Sequence, residues 1–198
     1  RGLYTYFLNL SSTQPAPPAA RTRIEKTLNK AKRMRWLGFG PTKGADPGIA
    51  LEDLLNRAQA KTKGKAHPPP AVDRPFCRCV IQQLAPSILV DGAWLSGIPR
   101  LGAIDSWDFE LLQILSDEIG TGRADWNHGN VYRSLLNQEA IAAPDFRDTR
   151  FSQNPEILTA AFELPLLLMA FGLEVKDYRP EILGLNLAIE LSGLGSSY

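Results

Sequence analysis

Histidine and cysteine are scarce in this 198-residue chain, with two of each. Cys77 and Cys79 are separated by one residue, too close for an ordinary structural disulfide, and without a second pair they do not make a zinc site. They read as core thiols of a reducing compartment. No signal peptide is visible, so a cytoplasmic location is expected. No stretch alternates apolar and polar residues long enough to make a strand, and no repeat is present, which excludes β and solenoid architectures. A surplus of either charge is missing too: 22 basic residues face 21 acidic ones, which argues against the chain as a whole binding polyanions. The longest apolar run, Ile157 to Leu173, is interrupted by Glu163 and Pro165, so it reads as a buried helix and no membrane partner is expected. The chain starts at Arg1 rather than Met and ends on Gly-Ser-Ser-Tyr198, which leads us to expect a fragment of a longer protein.

What is present is enough for one domain and a tail, with 44% hydrophobic residues to build a core. Residues 1–74 read as an N-terminal extension. An apolar start runs into the linker Ser11-Ser-Thr-Gln-Pro-Ala-Pro-Pro18, followed by a basic helix over 21–36 with Arg21, Arg23, Lys26, Lys30, Lys32, Arg33 and Arg35 against the single acid Glu25. Aromatic interleaving there is limited to Trp36, so a solvated helix is expected rather than a nucleic-acid contact. A Gly/Pro/Lys-rich linker over 38–75, with a short helix at 49–60, closes the extension and carries His67 where no fixed ligand geometry is available. Helical patterning takes over from about Pro75. The expected helices are 76–96, kinked or restarted at Pro86; 106–119, capped by Asp105 and stopped at Gly120; 127–137; 155–171, with Asn154 as cap; and 180–191.

Ionisable residues sit on faces of these helices that should be apolar. Asp91 falls in the stripe Leu84, Ile88, Asp91, Leu95; Glu118 continues Leu111, Ile114, Leu115; His128 leads Val131, Tyr132, Leu135; Glu190 follows Asn186 by one turn. Buried carboxylates need a compensating positive charge, and these stripes carry few Lys or Arg. A metal is the natural counter-charge: carboxylates with neutral imidazole are ligands for non-heme iron or manganese, and helical bundles assemble such sites from inward-facing side chains. Taken singly, each residue also reads as a cap, a buried ion pair or an edge position. Glu163, inside the apolar run, reads as a group lining the approach to the site rather than a ligand.

The string Asp117-Glu-Ile-Gly-Thr-Gly-Arg-Ala-Asp-Trp-Asn-His128, followed by Val131-Tyr-Arg-Ser-Leu-Leu136, resembles the iron-containing redox enzyme family, the heme-oxygenase-like diiron oxidases. Gln83-Leu-Ala-Pro-Ser-Ile-Leu-Val-Asp-Gly-Ala-Trp94 and the segment from Pro180 to Gly195 are similar to the same family, so the resemblance covers about residues 75–198. It implies an all-α, heme-oxygenase-like helical bundle without heme, holding two irons on carboxylates and histidines. Glu118 and His128 match its motif; Asp91 falls at an acidic ligand position, and Glu190 at an extra carboxylate used by some members. Family members activate O2 to oxidise amines, amino acids or fatty acids. The family's last ligands, a His-Asp-His cluster on a later helix, have no counterpart among these residues. The expected bundle is therefore partial at its C-terminus, with one iron or none in place of two. The competing reading is a non-catalytic helical interaction module whose apolar groove receives a partner helix or a second copy of the chain, as in a homodimer.

Overall fold

The computed structural model describes residues 1–11, 14–36, 46, 48–50, 52, 53, 56, 73–98 and 106–192, and every regular element among them is helical. His67, the cap expected at Asp105 and most of the helix expected over 49–60 lie outside the described residues. The chain forms two compact units, Arg1–Ile24 with Asp73–Arg179, and Glu25–Val72 with Pro180–Tyr198. The first unit contains α1 (Gly2–Leu8), the start of α2 (Pro18–Trp36), α3 (Arg74–Ile88), a 3-10 turn (Ala93–Leu95), α4 (Ser106–Glu118), α5 (His128–Gln138), α6 (Thr149–Ser152), a second 3-10 turn (Thr159–Phe162) and α7 (Glu163–Leu173). The second contains the rest of α2 and nearly all of α8 (Arg179–Ser192).

The apolar start of the chain belongs to the core of the first unit. Tyr4 and Phe7 are buried. Tyr4 meets Phe162 edge-on at 5.1 Å and Phe151 at 5.9 Å between ring centroids, geometries that add to plain burial. Its hydroxyl donates to the Pro86 carbonyl at 3.1 Å, one of the carbonyls that a helix end leaves without an intrahelical partner. Burial pushes the Tyr4 phenol well above its ordinary pKa. The basic run on α2 is divided in its use. Arg21 pairs with Asp177 and Glu174, and Arg23 with Glu163, whereas Lys26, Lys30, Lys32 and Arg33 are exposed.

Two helices end or begin elsewhere than the sequence pattern suggests. Asp73 caps α3, accepting from the Phe76 N–H at 2.8 Å with Pro75 in the first turn. The helix ends at Ile88, not near Ser96, because Pro86 removes a donor from the last turn and Gly92 turns left-handed at φ 76°. Leu84, expected on the core stripe, is 38% exposed. Likewise α7 begins at Glu163 instead of Pro155. A helix running from 155 would bury Pro165 in its interior, where the ring clashes with the carbonyl four residues earlier; starting at Glu163 puts it in the first turn, where no donor is needed. Asn154 still caps, but a turn, accepting from the Glu156 N–H at 2.9 Å.

α7 is apolar on all sides and central: Pro165, Leu166 and Leu168 to Gly172 are buried, as a helix without a polar face requires. It packs against the Ala93–Leu95 turn. A Cβ on Gly172 would lie 2.0 Å from the Ala93 carbonyl oxygen, so the two backbones touch. No described helix is long and apolar enough to cross a membrane.

A buried ion pair ties α4 to the first residue of α8. Asp108 is fully buried and accepts a hydrogen bond from Arg179, whose side chain is 32% exposed. Removing one partner of such a pair leaves the other charge uncompensated. Asp108→Ala is expected to cost about 3 kcal/mol, the low end for such pairs because Arg179 is part-exposed, lowering the melting temperature by roughly 6–12 °C. Thermal and urea unfolding measure it; a loss below about 1 kcal/mol, the size of an ordinary hydrogen bond, would show that the pair is not structural.

Candidate metal centre

Asp91 is placed by the break after α3, not by a continuous helix. Its N–H donates to the Ile88 carbonyl at 3.2 Å and the Ala93 N–H donates to Val90 at 3.0 Å, which makes a tight turn through Gly92. Gly92 suits this turn in two ways. Its φ is left-handed, and a Cβ on it would stand 3.0 Å from the Glu118 Cβ and 3.2 Å from Leu115 Cδ1. The Asp-Gly pair thus lets the acid approach the end of α4. Gly92→Ala is expected to displace Glu118 and weaken ferrous binding about tenfold or more, as losses of groups that orient metal ligands do. An anaerobic titration measures this, and unchanged affinity would mean that the close approach does not matter.

Glu118 is the last residue of α4, and the helix closes immediately after it. The Thr121 N–H donates to the Ser116 carbonyl at 2.7 Å and the Gly120 N–H to Asp117 at 2.9 Å, with Gly120 at φ 93°. This is a Schellman ending with glycine in the left-handed position. A Cβ on Gly120 would strike the Arg123 carbonyl oxygen at 2.3 Å and the Asn127 nitrogen at 2.5 Å. The loop therefore doubles back over Gly120 and delivers α5 next to the end of α4. Asn127 caps α5 by accepting from the Asn130 N–H at 3.0 Å, and His128 is the first helical residue.

These three placements converge. His128 Nδ1 lies 3.1 Å from Asp91 Oδ2 and 2.5 Å from Glu118 Oε2, and one ligand atom from each of the three residues lies within 4.8 Å of the others. Their side chains are 15%, 11% and 29% exposed for Asp91, Glu118 and His128. Bonds of about 2.1 Å to one six-coordinate ion set adjacent donors about 3 Å apart and opposite donors about 4.2 Å apart. The trio is close to those separations. Two oxygens and one imidazole nitrogen suit ferrous iron or manganese. Two carboxylates also bring more negative charge than one imidazole can balance, and a dication offsets it. The residues present therefore fit a metal ion.

One turn beyond His128, Tyr132 is buried and donates its hydroxyl to the Ile81 carbonyl at 2.8 Å, which holds α5 on α3. Burial pushes its phenol up. Glu190 lies on α8 in the second unit and is exposed there, while Asn186, one turn earlier, is buried. Glu163 is exposed and paired with Arg23. Cys77 and Cys79 are both free thiols, one part-buried and one exposed rather than in the core. Gly92 and Asn130, which help to set the site, carry no role in the sequence pattern, whereas Gly120 is expected there as a helix stop. The Asp-Gly pair and the two glycines of the Glu118–His128 string were available as signals.

Helical bundles can build metal sites from carboxylates and an imidazole supplied by different elements, and this trio has that composition. The family of iron-containing redox enzymes matches residues 78–197, 120 of the 198 residues, and this stretch contains Asp91, Glu118, His128 and Glu190. The chain belongs to that family and has its all-α, heme-oxygenase-like fold. Membership points to an oxidoreductase and to iron as the cofactor. No curated protein and no solved structure matches the chain.

Proposed function

We propose that this chain forms part of an O2-dependent non-heme iron oxidase or oxygenase acting on a small organic substrate, an amine, amino acid or fatty acid. Asp91, Glu118 and His128 would hold iron. The observation that carries this reading is the convergence of the three donors within 4.8 Å, in a chain of the iron-containing redox enzyme family. When bound, ferrous iron supplies the electrons that reduce O2. The side chains do the rest. Asp91 and Glu118 neutralise the cation, and His128 adds a neutral nitrogen donor. The buried Trp94, Leu95 and α7 keep water away behind the Asp91 turn. Three ligands suffice for one ion; the dinuclear site of the family would require more. A reducing compartment such as the cytoplasm suits both ferrous iron and the free thiols.

The test is anaerobic loading with Fe(II), followed by O2 uptake in the presence of candidate amines, amino acids and fatty acids. Iron-dependent uptake that disappears in His128→Ala is the expected result. Uptake that is independent of iron, or equal in the variant, would overturn the assignment.

A second reading, an interaction module that pairs with a second copy, draws on the exposed apolar row Phe76, Val80 and Leu84, one turn apart on α3 and 57%, 39% and 38% exposed. Light scattering on the purified chain discriminates: a dimer dispersed by Leu84→Lys supports it, and a monomer at all concentrations ends it.

A further inference from the structure

Nine residues separate Glu118 from His128, and three consecutive ones, Gly120, Thr121 and Gly122, have positive φ. Such a loop does not by itself fix the direction in which α5 starts. Asn130 ties it back across His128 to two residues that precede it. Its N–H donates to Asn127 Oδ1 at 3.0 Å, and its side-chain Nδ2 donates to the Ala124 carbonyl at 2.8 Å. The amide is oriented in turn by Arg133, whose Nη1 donates to Asn130 Oδ1 at 3.3 Å and so leaves Nδ2 directed at Ala124. Arg133 stands over the Phe146 ring at 4.9 Å, a contact that holds the guanidinium in place. On the other side, the α5 backbone abuts the end of α3, because a Cβ on Gly129 would sit 3.5 Å from the Leu89 carbonyl oxygen.

We propose that Asn130 is a positioning residue for His128. Through its side-chain bond to the Ala124 carbonyl, added to the Asn127 cap, it fixes the loop and the first turn of α5, so that Nδ1 faces Asp91 and Glu118 before any metal arrives. The role rests on the reading of the trio as a metal site, but the ring orientation is measurable without metal. Groups that orient a ligand in this way typically account for 10–100-fold in affinity. The side chain's two hydrogen bonds, to the Ala124 carbonyl and from Arg133, are both solvent-exposed, so the fold itself depends little on them.

The experiment compares the wild-type chain, Asn130→Ala and Ser134→Ala. Ser134 is exposed and donates to the Asn130 carbonyl. The imidazole 15N–1H spectrum of the apo protein reads the ring directly, because the chain has only two histidines and His67→Ala assigns them. Ferrous affinity is measured by anaerobic titration, and stability by melting. In Asn130→Ala we expect shifted, broadened His128 resonances, ferrous affinity lowered about 10–100-fold, and a melting temperature within roughly 4 °C of wild type. Ser134→Ala is expected to match wild type in all three. Unchanged His128 resonances in Asn130→Ala overturn the proposal, whatever the affinity or melting temperature does. If the wild type binds no iron while Asn130→Ala still disorders the ring, the positioning role stands and the metal reading falls.

Discussion

His128→Ala is expected to weaken ferrous binding by more than about 100-fold, beyond the range seen for groups that merely orient a ligand. The ring stands between two carboxylates, 3.1 Å from one and 2.5 Å from the other, so its removal takes away the nitrogen donor and the spacer that keeps the acids at ligand separation. Glu118→Gln keeps the shape and removes one charge, and a similar loss is expected there, because an amide is a poor substitute for a carboxylate facing a dication. Anaerobic titration with Fe(II) measures both. Glu190→Ala is the informative companion. A loss of affinity would identify it as a fourth ligand; wild-type affinity would restrict the site to the trio. Retained affinity in His128→Ala would mean that iron, if bound, is held elsewhere.

Gly172→Ala is expected to cost about 3 kcal/mol or more, the upper range for forcing one extra carbon into a close-packed core. The added methyl would stand 2.0 Å from the Ala93 carbonyl oxygen and 2.6 Å from Ser96 Oγ. The first of these is backbone in a tight turn, which cannot swing aside as a long side chain would. The melting temperature should fall by roughly 6–12 °C. The same turn follows directly on Asp91 and Gly92, so the fraction that remains folded should also bind iron more weakly. A loss under about 1 kcal/mol would show that α7 and the turn can separate cheaply.

The site was more legible in the sequence than the path of the chain around it. Glu118 and His128 were readable because each extends an apolar stripe on its helix and both fall in the string that resembles the family, with Gly120 stopping α4 between them. Asp91 does stand beside them, but not by the route that its stripe implies. The stripe Leu84, Ile88, Asp91, Leu95 assumes a helix that continues, whereas α3 ends at Ile88 and Asp91 arrives through a turn. Periodicity cannot register such a break when apolar residues happen to keep helical spacing across it. The start of α7 was misjudged similarly, because the apolar run hides where proline allows a helix to begin.

Other features depend on contacts between residues far apart in sequence. The fully buried Asp108 finds Arg179 71 residues later, and Tyr4 packs on Phe151 and Phe162 near the other end of the chain. Nothing local announces either partner. The stripe containing Asp108 looks no different from any exposed first turn, where an acid is favoured by the helix dipole. Glu190 illustrates the reverse. Its spacing from Asn186 suggests a buried pair, yet only Asn186 is buried and Glu190 is exposed. A one-turn offset places two residues on one face without deciding how far along the helix that face stays covered.

The most direct measurement is an anomalous difference map at the iron absorption edge, from crystals of the chain equilibrated anaerobically with Fe(II). The account predicts a peak bonded by a carboxylate oxygen of Asp91, a carboxylate oxygen of Glu118 and Nδ1 of His128. Iron bound at other residues, or no iron at full ferrous occupancy of the solution, would contradict it.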